Sequence, residues 1–472
     1  LLTTDLDAVL ENARRNSLTR DNPALESLPD RFQTLRDHQR IAVREILCAY
    51  EEGAECVVLD APTGSGKSLI GEVVRRLLPD NPQTTYICSS KSLQDQVLRE
   101  FTYAKVLKGR SNYATESYPE RFGGKDGLSC ADCTKRVGEP ESCLWCVSTD
   151  RCPYEGAKAS ALRAPLAVLN TSYFLSECNG PGRFSRGGLV IADECDDLEN
   201  QLLKHVEVTI SERRLKQYGL GVPRYVTKEE SWREWAKQAV DAVRFNPPKP
   251  SSGLDEVQRV RARKRHEILL GKLRTLHAGL EEGGWVYTGD RTSVAFKPVT
   301  VSSLGQDKLW RHGDKWLLMS ATVISADELL ESLGWDDEKE WRLVRVPSTF
   351  PPQNRKVIVA PVAKMDYKGR EEAYPKIIEA VRRIAVKHPD ERILVHSTNY
   401  ELTRAIVAGL VGGGALPAEL GMEGDPRYRP VVTYSESIQK ESRLAEYLSH
   451  PNSIMVAPSF DRGIDLPDDK CR

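Results

Sequence analysis

The segment Ala61-Pro62-Thr63-Gly64-Ser65-Gly66-Lys67-Ser68 joins two glycines, a lysine and a hydroxyl residue at the spacing of a phosphate-binding loop. Gly64 and Gly66 let backbone N–H groups wrap a polyphosphate at a helix N-terminus. Lys67 is then placed to reach the β- and γ-phosphates, and the Ser68 hydroxyl to ligate Mg²⁺. The strict pattern opens on Gly, whereas this one opens on Ala61. The segment predicts a bound nucleoside triphosphate, ATP with Mg²⁺.

A second acidic motif follows the apolar run Leu189–Ala192: Asp193-Glu194-Cys195-Asp196. An ATPase needs two carboxylates at the end of such a strand. Asp193 holds Mg²⁺ through water, and Glu194 orients and deprotonates the attacking water. Upstream, Arg36 and Gln39 form an Arg-x-x-Gln pair of the kind that recognises adenine. Downstream, Ser320-Ala321-Thr322 follows another apolar run and offers hydroxyls that could couple a nucleotide site to a second ligand.

Eleven cysteines are present, and five of them fall between Cys130 and Cys152. A disulfide framework is improbable without an export signal, so this cluster reads as a metal site. On spacing alone the two knuckles Cys130-x-x-Cys133 and Cys143-x-x-Cys146 would close a tetrahedral Zn²⁺ site.

These motifs need strands to carry them. Apolar runs at Cys56–Leu59, Thr85–Cys88, Leu189–Ala192, Trp316–Met319, Val357–Ala360, Ile393–His396, Val431–Tyr434 and Ile454–Ala457 alternate with helical patterns. Such alternation predicts parallel α/β layers. Two regions interrupt it: the cysteine-rich stretch, and a charged helical stretch after Ser211. At 472 residues the chain is long enough for roughly three domains. Its 40% hydrophobic and 29% charged content is that of an ordinary soluble protein, and its net charge of −1 neither advertises nor excludes nucleic acid. No run of about 18 apolar residues and no leader is found, so a cytoplasmic protein without membrane contact is expected.

The order of RDHQ, APTGSGKS, SSKSLQDQ, the cysteine cluster, LNTSYFL, DECDDLE, LLMSATV, STFPPQNR and SFDRGIDLPDD resembles the XPD/DinG family of superfamily 2 helicases. The resemblance implies an ATP-driven monomeric motor that moves 5′ to 3′ on single-stranded DNA and opens forked duplexes. It implies a first RecA-like domain in three parts, 1–109, 166–210 and 285–350. An iron–sulfur insertion would occupy 110–165, a helical arch 211–284, and a second RecA-like domain 351–472. Cys143, Cys146 and Cys152, the last followed by Pro153, look like three ligands of the family's [4Fe–4S] cluster. Cys130 or Cys133 must supply the fourth, with Cys133 preferred for its shorter loop to Cys143.

The resemblance also places Gly463 and Asp465 against nucleotide or DNA. Strand contacts would come from Ser90, Gln94, Asn170, Tyr173, Ser397 and Thr398. The basic run Arg259, Arg261, Arg263, Lys264, Arg265 either lines a DNA channel or forms a solvated helix face. Two departures stand out: DECD replaces the usual DEAH, and Arg462 stands where Glu is frequent. No Gln-x-x-Gly-Arg-x-x-Arg motif follows, and the expectation is a C-terminally incomplete copy. The rival readings are an ATP-dependent clamp on single-stranded DNA and a DNA binder gated by the redox state of its cluster.

Overall fold

A computed structural model describes residues 35–78, 83–123, 127–133, 135–136, 139–143, 152–184, 187–223, 227–248, 256–290, 292–348, 351, 353, 357–366, 369–411, 429–435 and 440–458. The chain divides into two compact units, Leu1–Thr349 and Phe350–Arg472.

Strands in chain order are β1 (Cys56–Asp60), β2 (Thr84–Cys88), β3 (Lys105–Leu107), β4 (Lys135–Arg136), β5 (Glu139–Cys143), β6 (Leu166–Asn170), β7 (Leu189–Asp193) and β8 (Val208–Ser211). There follow β9 (Trp285–Tyr287), β10 (Ser293–Pro298), β11 (Lys315–Ser320), β12 (Trp341–Arg345), β13 (Ile393–His396), β14 (Val431–Val432) and β15 (Ile454–Ala457).

The first unit is built on a seven-stranded sheet of order β12-β1-β11-β7-β2-β6-β3, and every pairing in it is parallel. Both faces of such a sheet are covered, so its strands read as nearly unbroken apolar runs. Alternate residues feed two cores. Val57, Leu59, Ile191 and Met319 enter one, while Cys56, Val58, Val190 and Leu318 enter the other. The helix Lys67–Leu77 lies close on its sheet: a Cβ at Gly71 would sit 3.4 Å from both Ile191 and Met319.

That helix also buries a charge cluster. Glu72 and Arg75 are both fully buried, with an Arg75 Nε to Glu72 Oε2 distance of 2.8 Å. Arg76 and the Tyr103 hydroxyl donate to the same carboxylate. Burial alone would raise the Glu72 pKa, but the two guanidiniums outweigh it and hold the group at about 2.

The helical stretch is not helical throughout. A three-stranded sheet, β8-β10-β9, shares a core with the helices Glu229–Arg244 and Glu256–Glu282. Trp232 stacks on Tyr287 at 4.8 Å and meets Phe296 edge-on at 4.9 Å. The expected span 211–284 therefore leaves out β9 and β10, which pack with those helices. Short strands that complete their burial on a distant helix carry little local signal.

In the second unit β13, β15 and β14 form a parallel sheet flanked by helices, among them Arg370–Lys387 and Tyr400–Val411. Val357–Ala360, expected as a strand, is not one. It has no ladder partner among the described residues, and Val357, Ile358 and Val359 are each at least 85% exposed. An apolar run becomes a strand only where a neighbour completes its hydrogen bonds.

Candidate nucleotide site

Three of the predicted motifs end at one edge of the large sheet. In register, Asp60 of β1 pairs with Ser320 of β11, and Met319 pairs with Asp193 of β7. In an open parallel sheet the carboxyl ends of the strands are where ligands collect.

The loop after β1 has the backbone its glycines allow. Gly64 has φ 80° and Gly66 φ 82°, both left-handed, and Gly66 N-caps the helix that begins at Lys67. The helix Asp37–Glu51 supports this loop from outside. Gln39 Nε2 donates to the Ser65 carbonyl at 2.9 Å, and His38 Nε2 lies 3.1 Å from the same oxygen. Gln39 Oε1 accepts from the backbone N–H of Arg36 at 2.9 Å. A Cβ at Gly66 would collide with the Gln39 amide. Gln39 is thus buried beneath the loop, while Arg36 is exposed. Ser65 is 2% exposed and its hydroxyl has no partner. A buried orphan hydroxyl in a Gly-rich cradle fits a polyphosphate. Lys67 Nζ meanwhile donates to the Ala61 carbonyl at 3.3 Å, folded back over its own loop.

The acidic edge lies close by. Asp193 Oδ2 accepts from the Tyr86 hydroxyl at 2.8 Å, and its Oδ1 accepts from the Glu194 N–H at 3.0 Å. Burial raises the Asp193 pKa, and the Lys67 ammonium opposes the rise. Glu194 takes φ 55°, a left-handed backbone that is strained for a non-glycine residue, and its Oε2 accepts from Ser89. Ser320 Oγ donates to Asp196 Oδ1 at 2.7 Å and lies 3.3 Å from Thr322 Oγ1, tying the third motif to the acidic turn. Such a set can hold a polyphosphate, a hard cation and an activated water.

Tyr86 and Ser89 escaped the sequence reading. Tyr86 is one apolar-strand residue among many; Ser89 opens SSKSLQDQ and was the one available signal.

The other predicted residues are distributed unevenly. Gln94 is fully buried with Nε2 3.5 Å from the Val168 carbonyl, and Tyr173 shares a 2.6 Å hydroxyl contact with Tyr154. Asn170 Nδ2 donates to the Ser89 carbonyl at 2.9 Å, and Ser90 Oγ caps the helix Lys91–Glu100. Ser397 is buried with its hydroxyl 2.6 Å from Thr403 Oγ1, while Thr398 has φ 65°. Gln94 and Ser397 are thus buried within the fold, whereas Thr398 is exposed. Gly463, Asp465 and Cys146 lie outside the described residues, and Cys143 is described only as the last residue of β5.

Cys130 and Cys152 are both buried, with sulfurs 4.0 Å apart. Cys130 sits on a 3₁₀ turn and Cys152 caps the helix Pro153–Arg163. Cys133 directly follows the same turn. Two facing buried thiols suit a thiolate-bound metal, although no group of three or more metal-ligating side chains occurs among the described residues.

The basic run divides. Arg261 forms a forked ion pair with Asp132, at 2.6 Å from Nε and 3.0 Å from the second nitrogen, and Lys264 donates to the Ala131 carbonyl. These two grip the turn that carries Cys130. Arg259, Arg263 and Arg265 are exposed.

Residues 32–127 match the model of the family described as type III restriction enzyme, res subunit. Nothing among curated proteins matches. Among solved structures, an XPD helicase is similar with TM-score 0.56 and 16% identity over 93% of this chain and 83% of its own. An apo XPD gives TM-score 0.48 at 13% identity over 92% and 81%, and Xpd4 of S. tokodaii 0.47 at 14% over 89% and 80%. The architecture, a wide parallel sheet with helices on both faces, is shared with the first of these structures. More narrowly, the chain has the fold of the XPD helicase it matches over most of its length.

No helix among the described residues is long and apolar enough to cross a membrane.

Proposed function

We propose that this chain is an ATP-dependent DNA helicase of the XPD/DinG kind, moving 5′ to 3′ on single-stranded DNA. The observation that carries the reading is the convergence of the strand ends that bear Lys67, Ser68, Asp193, Glu194 and Ser320, with the orphaned hydroxyl of Ser65 in the same loop as Lys67 and Ser68. Lys67 leaves the Ala61 carbonyl to neutralise the terminal phosphates. Pro62, Thr63 and the loop N–H groups shape the cradle, with Arg36 and Gln39 beside it. Ser68 and Asp193 would hold Mg²⁺, which supplies charge neutralisation on the phosphates. Glu194 takes the proton of the attacking water, oriented by Ser89.

The chemistry of the cysteine insertion supports a [4Fe–4S] cluster held by Cys143, Cys146, Cys152 and one of Cys130 and Cys133. Facing Cys152 favours Cys130, where loop length had favoured Cys133. When bound, the cluster fastens an apolar-poor segment. Gly463 and Asp465 are proposed to contact nucleotide or DNA, and the proposed partners are single-stranded and forked DNA.

Duplexes tailed on either the 5′ or the 3′ side test the reading directly. Strand separation should require ATP and Mg²⁺ and occur on the 5′-tailed substrate. DNA-stimulated ATP hydrolysis without separation of either substrate would replace the helicase with an ATP-dependent clamp.

A further inference from the structure

A second candidate site lies on the insertion, between the short helix Glu212–Lys216 and the helix Glu256–Glu282. An open cavity of about 440 Å³ separates them. That volume falls within the rough 300–1,000 Å³ range of small-ligand sites. Its wall is cationic. Arg213 and Arg214 come from the short helix, and Arg265 comes from the long one.

No carboxylate among the described residues pairs with these three guanidiniums. Glu212, the nearest acid in sequence, is engaged by Lys216 at 3.0 Å. Arg265 spends only its Nε, on the Arg261 carbonyl at 3.1 Å. A further cation stands close: burial, and then the Arg214 charge, hold Lys272 below the ordinary lysine pKa. Glu207 offsets part of the charge at Lys272, but the three guanidiniums have no paired carboxylate among the described residues, and like charges so gathered attract an anion. Guanidinium groups match phosphate oxygens in forked geometry.

The rest of the cavity is not merely electrostatic. Tyr218 and His266 line it as a ring pair, with centroids 5.9 Å apart and a 3.0 Å hydrogen bond between the hydroxyl and Nδ1. Leu269 adds an apolar floor, and Gln217 an amide at the rim. Rings and an apolar floor next to phosphate-binding groups offer both halves of a nucleotide a partner.

We propose that this cavity binds a nucleoside phosphate, its phosphate on Arg213, Arg214 and Arg265 and its base against Tyr218 and His266. One unit of a single strand and a free nucleotide present the same chemistry. The proposal rests on the lining of the insertion and not on the phosphate loop.

Binding of a fluorescent oligothymidylate to the full chain, without ATP and over a series of salt concentrations, tests it. Replacing Arg214 and Arg265 together by Gln should weaken binding about tenfold. It should also flatten the slope of log affinity against log salt by about 1.4, about 0.7 per lost phosphate contact. The Arg214→Lys, Arg265→Lys pair keeps the charge and should keep most of the slope, which separates charge loss from misfolding. Competition by dTMP assigns the cavity to free nucleotide; failure of dTMP to compete assigns it to a strand. An iodouracil-substituted oligonucleotide should photo-crosslink to the peptide that contains Tyr218 or His266. Affinity and slope unchanged in the Gln pair, with crosslinks only elsewhere, would overturn the proposal.

Discussion

The nucleotide edge and the contact between the two insertions are assembled in opposite ways. At the edge, each motif is contiguous, and the parallel register of β1, β11 and β7 brings the strand ends together. At the contact, Asp132 and Arg261 lie 129 residues apart and no motif announces their pairing. A ligand site made by strand ends is written in short strings, because one strand and one turn fix each group. A contact between insertions depends on how long segments fold back, and identical-looking arginines in one run acquire different tasks. Arg261 and Lys264 grip the cysteine turn, whereas Arg265, on the same helix, lines a cavity.

The largest effect should come from the edge. Lys67→Ala should lower ATP turnover by about 10²–10³ while the fold persists, since the hydrogen bond of Lys67 is to a carbonyl of its own loop. Glu194→Gln should bind nucleotide and fail to hydrolyse it. Turnover at the parental rate in Glu194→Gln would remove that residue as base.

The cysteine insertion offers a test of the proposed metal. Protein purified without oxygen should absorb broadly in the visible and carry iron, and Cys130→Ser should abolish both while Cys133→Ser retains them. The reverse pattern would return Cys133 to the ligand set. One zinc per chain lost with Cys130, Cys133, Cys143 or Cys146, but not with Cys152, would replace iron by zinc.

The helix Lys67–Leu77 itself carries a buried carboxylate, Glu72. Glu72→Gln leaves Arg75 buried without its counter-charge and should cost about 3–5 kcal/mol, read from denaturant unfolding. Because the folded-state pKa of Glu72 is depressed from 4.5 to about 2, its contribution is complete above pH 4.5 and lost as pH falls toward 2. The variant should therefore lack that part of the parent's acid sensitivity.

The smallest effect should be at the contact itself. Arg261→Ala should cost about 1 kcal/mol, because the pair is partly exposed, with side chains 30% and 16% accessible. Its mark should be faster amide exchange across residues 127–133 with nucleotide affinity unchanged. Uniform protection across that turn would show that the two insertions stand independently.

How far the sequence could be read varied with the range of the interactions. The phosphate loop, the DECD turn and the SAT segment were legible because glycine spacing and an apolar strand are local facts. Gln39 was singled out as an adenine contact, yet only the fold shows its amide holding the Ser65 carbonyl. Tyr86 was illegible: its hydroxyl acquires meaning only because β2 and β7 are neighbours. Val357–Ala360 misled for the same reason in reverse, an apolar run with no described strand beside it.

The sequence by itself determined the parallel α/β character and the strings that bear phosphate and acid chemistry, since backbone freedom and side-chain periodicity are set residue by residue. Tertiary structure alone decided that β9 and β10 join the helices of the insertion, that Cys130 faces Cys152, and which arginines pair with a carboxylate and which find none among the described residues. Those outcomes depend on burial and distance between remote segments, and neither quantity exists until the chain has closed on itself.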